Sequence, residues 1–161
     1  MNKFPMDADI LSPSDDSEKK IFCHEPHKLV PSVRTRTRQI FYKEESFLIN
    51  SCIYEVNRKL GTGFLEAVYQ EALEIELKQK NIPFERQKGL KIFYDETPLS
   101  CKYIADIICY DKIIIEIKAV SNINNQHKAQ LLNYLAITGL KLGLLVNFSS
   151  FPKAEVIRMV R

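Results

Sequence analysis

Three charged side chains in the middle of the chain are spaced to act on one another. They are Asp106, in "CKYIADIICY", and Glu116 and Lys118, in "KIIIEIKAV". Side chains alternate across a β-strand, so Glu116 and Lys118 share one face. Only a short turn around Asp111 separates the two segments, which makes them an antiparallel hairpin. That hairpin brings Asp106 opposite or diagonal to Glu116. Two carboxylates this close repel, and one is driven to hold a proton unless a cation lies between them. A hard divalent ion, Mg²⁺ or Mn²⁺, suits oxygen ligands of this kind. The ammonium of Lys118 would then stand beside a metal-bound water and an anionic substrate, which is equipment for phosphodiester hydrolysis. The plain alternative is that Lys118 only neutralises Asp106 or Glu116 at a strand end. The spacing by itself does not decide between the two.

Two other stretches bear on the choice. In "GFLEAVY", Gly63, Glu66 and Tyr69 stand at i, i+3 and i+6. Read locally, Gly63 is a helix N-cap, Glu66 complements the helix dipole at the third helical position, and Tyr69 is an ordinary half-buried aromatic. Read with the hairpin, Glu66 is a third carboxylate of the same cluster. In "QLLNY", Gln130 and Tyr134 share one helix face, with His127 three residues earlier. A helix following the third strand, with its polar face toward the strand end, would set Gln130 near Lys118.

The elements needed to position these residues can be read from periodicity. Leu48, Ile49, Cys52, Ile53, Val56 and Leu60 mark one helix, stopped by Gly61. A second is predicted from about Gly63 to Lys80, with Leu65, Val68, Ala72 and Ile75 as its apolar stripe and Asn81 and Pro83 after it. "KGLKIFYD", with a polar turn at "DETP", is the first strand, and the hairpin supplies the second and third. Both hairpin strands are apolar at odd and even positions, so the sheet should be covered on both faces. A third helix starts at Asn124 or Asn125, turns Leu131, Leu132, Leu135 and Ala136 to the core, and ends at Gly139. "LKLGLLVNF" is a buried strand parallel to its neighbour, and "AEVIRMV" an edge strand. Residues 1–43, with four prolines, mixed charge clusters and no periodicity, read as a disordered or extended arm ahead of one domain over 44–161.

Bulk composition excludes little. The chain has 161 residues, enough for one domain with a real core, and a net charge of +3 that is compatible with an anionic partner without demanding one. No apolar run reaches the length of a membrane span, and the N-terminal residues lack the apolar core of a secretory signal. Cys23, Cys52, Cys101 and Cys109 show no CxxC spacing, which fits reduced thiols in a cytoplasmic protein.

Taken together, the motifs resemble a known family. "GFLEAVY" is similar to the GxxExxY signature, and Asp106 with "EIK" and "QLLNY" resembles the PD-(D/E)xK nuclease superfamily in its QxxxY-bearing branch. The resemblance covers roughly residues 45–160. Ala105 stands where the superfamily often has proline. The fold implied is α/β, a restriction-endonuclease-like αβββαβ core with a mixed sheet flanked by helices on both faces. The site implied has Asp106, Glu116 and the backbone carbonyl of Ile117 as metal ligands, with Glu66 completing the acidic cluster. Lys118 would orient or activate the attacking water and balance charge on the phosphate. Gln130 and Tyr134 would position Lys118, the metal-bound water or the nucleic-acid backbone. Gly63 and Tyr69 are implied to be structural, and His127 has only a weak claim on substrate. The function implied is Mg²⁺-dependent cleavage of DNA. Two alternatives keep the fold without the chemistry: a nucleic-acid-binding module that does not cut, and a protein-interaction component docking through the N-terminal arm. A homodimer is compatible with the first reading, since cutting two strands with one site per chain needs two subunits.

Overall fold

Helix α1 (Lys43–Leu60) begins where the apolar periodicity begins, and Gly61 closes it with a left-handed φ of 68° that favours glycine. The structure is a computed structural model and describes residues 40–101 and 103–161. All of the expected N-terminal arm but its last residues lies outside that range. Helix α2 (Glu66–Gln79) follows, then β1 (Phe84–Leu90), the short strands β2 (Phe93–Tyr94) and β3 (Thr97–Pro98), β4 (Tyr103–Cys109), β5 (Ile113–Lys118), α3 (Asn125–Thr138), β6 (Leu142–Asn147) and β7 (Glu155–Val160). Among these elements no helix is long and apolar enough to cross a membrane.

Five strands form one sheet in the order β1-β4-β5-β6-β7, and β2 pairs with β3 in a separate ribbon. Within the sheet β5 and β6 run parallel and the other neighbours antiparallel, as expected from the hairpin and from the helix between β5 and β6. Tyr110 and Asp111, both with positive φ, make the tight β4–β5 turn. The isoleucines of β5 are buried on both faces. Ile113, Ile115 and Ile117 face α1 and α2, packing with Ile49, Ile53, Leu73 and Val146, whereas Ile114 faces α3 and packs with Leu131, Leu135 and Leu145. Helices cover both faces of a mixed sheet, which is the architecture expected.

Some elements differ from the sequence reading, each for a physical reason. Helix α2 buries Tyr69, Leu73 and Leu77. The expected stripe is largely outside, with Leu65 78% exposed and Val68 and Ile75 also exposed. Both faces carry helically spaced apolar residues, and the buried one is disguised by a tyrosine and by Glu74 and Glu76. Gly63 is not the N-cap. Its φ of 105° is incompatible with the helix, and Leu65 caps α2 instead, so Glu66 is the first helical residue rather than the third. In α3 the core residues are Leu131, Tyr134 and Leu135, while Leu132 and Ala136 are exposed. The first strand begins at Phe84, before "KGLKIFYD", because β1 is an edge strand whose exposed positions are polar. The end of that run enters the β2–β3 ribbon, turned at Asp95 and Glu96.

One glycine sets how closely α3 lies on the sheet. A Cβ at Gly143 of β6 would come within 2.7 Å of the buried Leu131 side chain of α3. Gly143→Ala is therefore predicted to overpack this contact and cost about 1–3 kcal/mol. Urea unfolding of the two proteins side by side would measure it, and equal midpoints would remove the argument.

Strand alternation breaks where it matters. Phe84, Ile107 and Cys109 pack on the α1–α2 side, yet Leu90, Tyr103 and Ala105 pack on the α3 side. Strict alternation would keep Tyr103 and Cys109, or Phe84 and Leu90, on the same face. The paired register skips one position, Gln87 opposite Asp106, and Gln87 has a φ of 45°. The local reversal shared by β1 and β4 thus coincides with Asp106.

Candidate active site

At the end of β5 the hairpin opens. The β4–β5 pairing stops at Ile107 opposite Ile115, so the next pair in register, Asp106 with Glu116, is not formed. In its place the Asp106 side chain turns to the neighbouring backbone, and its Oδ2 accepts the Ile117 N–H at 2.8 Å. Glu116 is only 2% exposed. Its Oε1 accepts from the Lys118 ammonium at 2.7 Å, and its Oε2, fully buried, has no partner. Same-face projection of Glu116 and Lys118, inferred from alternation, is what makes this contact.

The electrostatics follow from burial. Burial pushes the Glu116 carboxyl up to about 7, and the nearby Asp106 charge adds to the rise while Lys118 opposes it. Asp106 is also raised by burial, against the Ile117 N–H and the Lys118 charge. The Lys118 ammonium is held above its ordinary value: burial opposes this, and the Glu116 contact outweighs it. The pair is thus an ammonium beside a carboxylate that is reluctant to ionise. An orphaned, buried carboxylate oxygen next to a second carboxylate fits an oxygen-seeking divalent cation.

Glu66 reaches the same place from the opposite layer. It starts α2, and its Oε1 accepts the Ala119 N–H just past β5, at 3.2 Å. A loop fixed by the GxxExxY residues delivers it there. Gly63 supplies a positive φ that other residues rarely adopt. The buried Tyr69 donates its hydroxyl to the Gly61 carbonyl at 2.9 Å and accepts the Phe64 N–H at 3.3 Å. Its ring stacks on Phe148, 4.5 Å between centroids. Tyr69→Phe should keep the stack and lose both bonds, costing about 1–2 kcal/mol. Denaturant midpoints compared with those of the parent would test this. On the other side, buried Asn147 clamps the segment after β5. Its amide donates to the Val120 carbonyl at 2.8 Å and its oxygen accepts the Val120 N–H at 3.1 Å. Glu66, Asp106, Ile117 and Ala119, with Phe64 and Gln70, line one open cleft of about 530 Å³.

The α3 residues stand beside this cleft rather than in it. Gln130 donates its amide to the Tyr134 hydroxyl at 2.8 Å and makes no hydrogen bond to Lys118, which corrects the expected contact. Tyr134 is buried, which raises its hydroxyl; the Gln130 bond counters, and the charges of Glu116, Asp106 and Lys118 reach it. Its ring meets Tyr103 edge-on at 5.8 Å. His127 is occupied as half of a capping box with Asn124, its Nδ1 accepting the Asn124 N–H and its own N–H donating to Asn124 Oδ1. Among the described residues, no three His, Cys, Asp or Glu side chains already form a shared ligand cage. The three carboxylates each have a separate protein partner instead. Gln70, Asn147 and the Gln87 reversal were not anticipated. Only Asn147 left a signal, a lone amide ending the apolar run "LGLLVN" next to the strand of Glu116.

Residues 43–159 match the family model described as the PD-(D/E)XK nuclease superfamily. The chain belongs to that superfamily, and its fold is restriction-endonuclease-like. A solved structure described as "Crystal structure of SSO0001" aligns at 25% identity with a TM-score of 0.47, over 73% of this chain and 58% of that one. The chain therefore spans less than two thirds of that protein's length. No curated protein matches the chain.

Proposed function

We propose that this protein is a divalent-metal-dependent nuclease that hydrolyses phosphodiester bonds in DNA, and that its site is Glu66, Asp106, Glu116 and Lys118, supported by Gln130 and Tyr134. The observation that carries the reading is the unpaired, buried Oε2 of Glu116, set beside Asp106 and the Lys118 ammonium. A carboxylate arranged only for stability has no reason to keep one oxygen unsatisfied in the interior. Superfamily membership supports nuclease chemistry in general, and "GFLEAVY" supports assignment to the GxxExxY group within it.

Asp106, Glu116 and the Ile117 carbonyl would hold the ion, Mg²⁺ or Mn²⁺, with Glu66 completing the set. A bound divalent ion supplies Lewis acidity toward the phosphate and toward water. Lys118, charged at neutral pH, offsets the negative charge that builds on the phosphate and holds the attacking water by hydrogen bond. Glu66 closes the cleft edge opposite Asp106. The Gln130–Tyr134 pair fixes the α3 wall behind Lys118 and offers a donor to the substrate backbone. Residues 44–161 form the nuclease domain on this reading, residues 1–43 an appended arm, and paired cuts in duplex DNA would come from two copies of the chain.

Purified full-length protein incubated with linear, circular, single-stranded and branched DNA in Mg²⁺ or Mn²⁺ tests this. Cleavage that disappears in EDTA and in Glu116→Gln is the expected result. No cleavage of any substrate, with DNA binding that weakens as salt rises, would instead favour a binding module that does not cut.

A further inference from the structure

Helix α2 carries a second buried carboxylate that the catalytic reading leaves without a task. Glu74 is 4% exposed. Its Oε1 accepts from the Gln70 amide at 3.2 Å, and its Oε2 faces the Arg86 guanidinium of β1 at 3.4 Å. Gln70 lines the same cleft as Glu66 and Asp106. Glu66, Gln70 and Glu74 are four residues apart in turn, so they form one row along α2, stepping about 6 Å each time away from the acidic end.

The chemistry of the row is directional. A carboxylate only accepts, so Glu74 fixes which end of the Gln70 amide turns toward it and leaves the second hydrogen of that nitrogen free. It also holds one terminal nitrogen of Arg86 while the side chain stays 65% exposed. The remaining guanidinium donors are available to solvent. As a stability device this pair is poorly placed, because burying one partner forfeits hydration that a surface contact barely returns. As a scaffold it is well placed: one buried acid orients two donors that continue outward from an otherwise acidic cleft.

We propose that Gln70 and Arg86, organised by Glu74, form a subsite for a backbone phosphate flanking the one at the acidic cluster. The inference rests on the nuclease reading for its substrate class, and it fixes where the strand leaves the site: along α2 toward β1. A guanidinium and an amide with free hydrogens match non-bridging phosphate oxygens. A cation one or two helical turns from three carboxylates also offsets their repulsion of the incoming strand.

The test measures binding rather than cleavage, with the full-length chain, a fluorescent single-stranded oligonucleotide and no divalent ion. Arg86→Ala should weaken affinity about five- to twentyfold and lower the slope of log affinity against log salt by about one phosphate contact. Glu74→Gln should weaken affinity less, because Arg86 keeps its charge but loses its orientation. A second oligonucleotide carries one uncharged methylphosphonate linkage, moved stepwise along the strand. At one position the parent protein should lose as much affinity as Arg86→Ala does, and Arg86→Ala should lose nothing more. Melting temperatures of each variant separate loss of the contact from loss of fold. Parent-like affinity and salt slope in a folded Arg86→Ala would overturn the subsite while leaving the nuclease reading intact. Failure of the parent to bind any oligonucleotide would overturn both.

Discussion

Lys118→Ala is expected to reduce divalent-ion-dependent cleavage by on the order of 10²–10³-fold, the usual loss when a positioned charge-stabilising group is removed. The contact at stake is the 2.7 Å hydrogen bond from its ammonium to Glu116, in a site where the lysine side chain is largely buried. The same change leaves the Glu116 carboxylate without its counter-charge, so a mutant that merely unfolds would give a misleading result. Lys118→Arg is the control. It keeps the charge but not the point-like donor, so it should retain the fold while losing most of the rate. Cleavage assays run beside thermal melts would separate the two effects. A folded Lys118→Ala that still cuts at the parent rate would remove Lys118 from the mechanism.

Glu116→Gln should do two opposite things at once. It should abolish cleavage, and in EDTA above pH 7 it should make the protein more stable. The sign follows from the folded carboxyl sitting at about 7 against an ordinary value of 4.5. Between those two values the folded chain holds a proton that the unfolded chain has released. Stability from this group is therefore present below about pH 4.5 and is lost as pH rises through 7. The full difference is on the order of 3 kcal/mol, from about 1.4 kcal/mol per unit. Asp106, also raised by burial, tilts the curve the same way. The glutamine variant should lose the Glu116 part of that slope. Added Mg²⁺ at pH 8 should raise the melting temperature of the parent and leave the variant unmoved. Melting curves from pH 5 to 9, with and without Mg²⁺, would show it. A parent curve flat across that range would mean that Glu116 ionises freely.

Why some of this was readable in advance comes down to how each residue is paid for in contacts. The charges at 116 and 118 stood out because every neighbour in "KIIIEIKAV" is apolar, and a strand buried on both faces leaves them no bland explanation. The register of Asp106 followed from the short turn at Asp111. The role of Glu66 was legible only as a type and spacing. Its arrival from the other helical layer depends on a tyrosine hydroxyl, a positive φ at Gly63 and an amide at Asn147, none of which leaves a periodic trace. The buried face of α2 was misread because Leu65, Val68 and Ile75 are as apolar as the residues that pack, and hydrophobic spacing alone cannot rank two such faces. Gln70 and Gly143 act through one contact each, and single contacts are invisible until helix and sheet are laid together.

The hydrogen bond from Ala119 to Glu66 joins residues 53 positions apart. Long loops close slowly, so contacts of this span belong to the last stages of assembly. Helical signal should therefore return before the active geometry when the unfolded chain is diluted from urea. Sampling cleavage competence against far-ultraviolet circular dichroism during refolding would order the two events. The enzyme would then be silent until both layers have met across the sheet, which keeps a half-made chain from cutting.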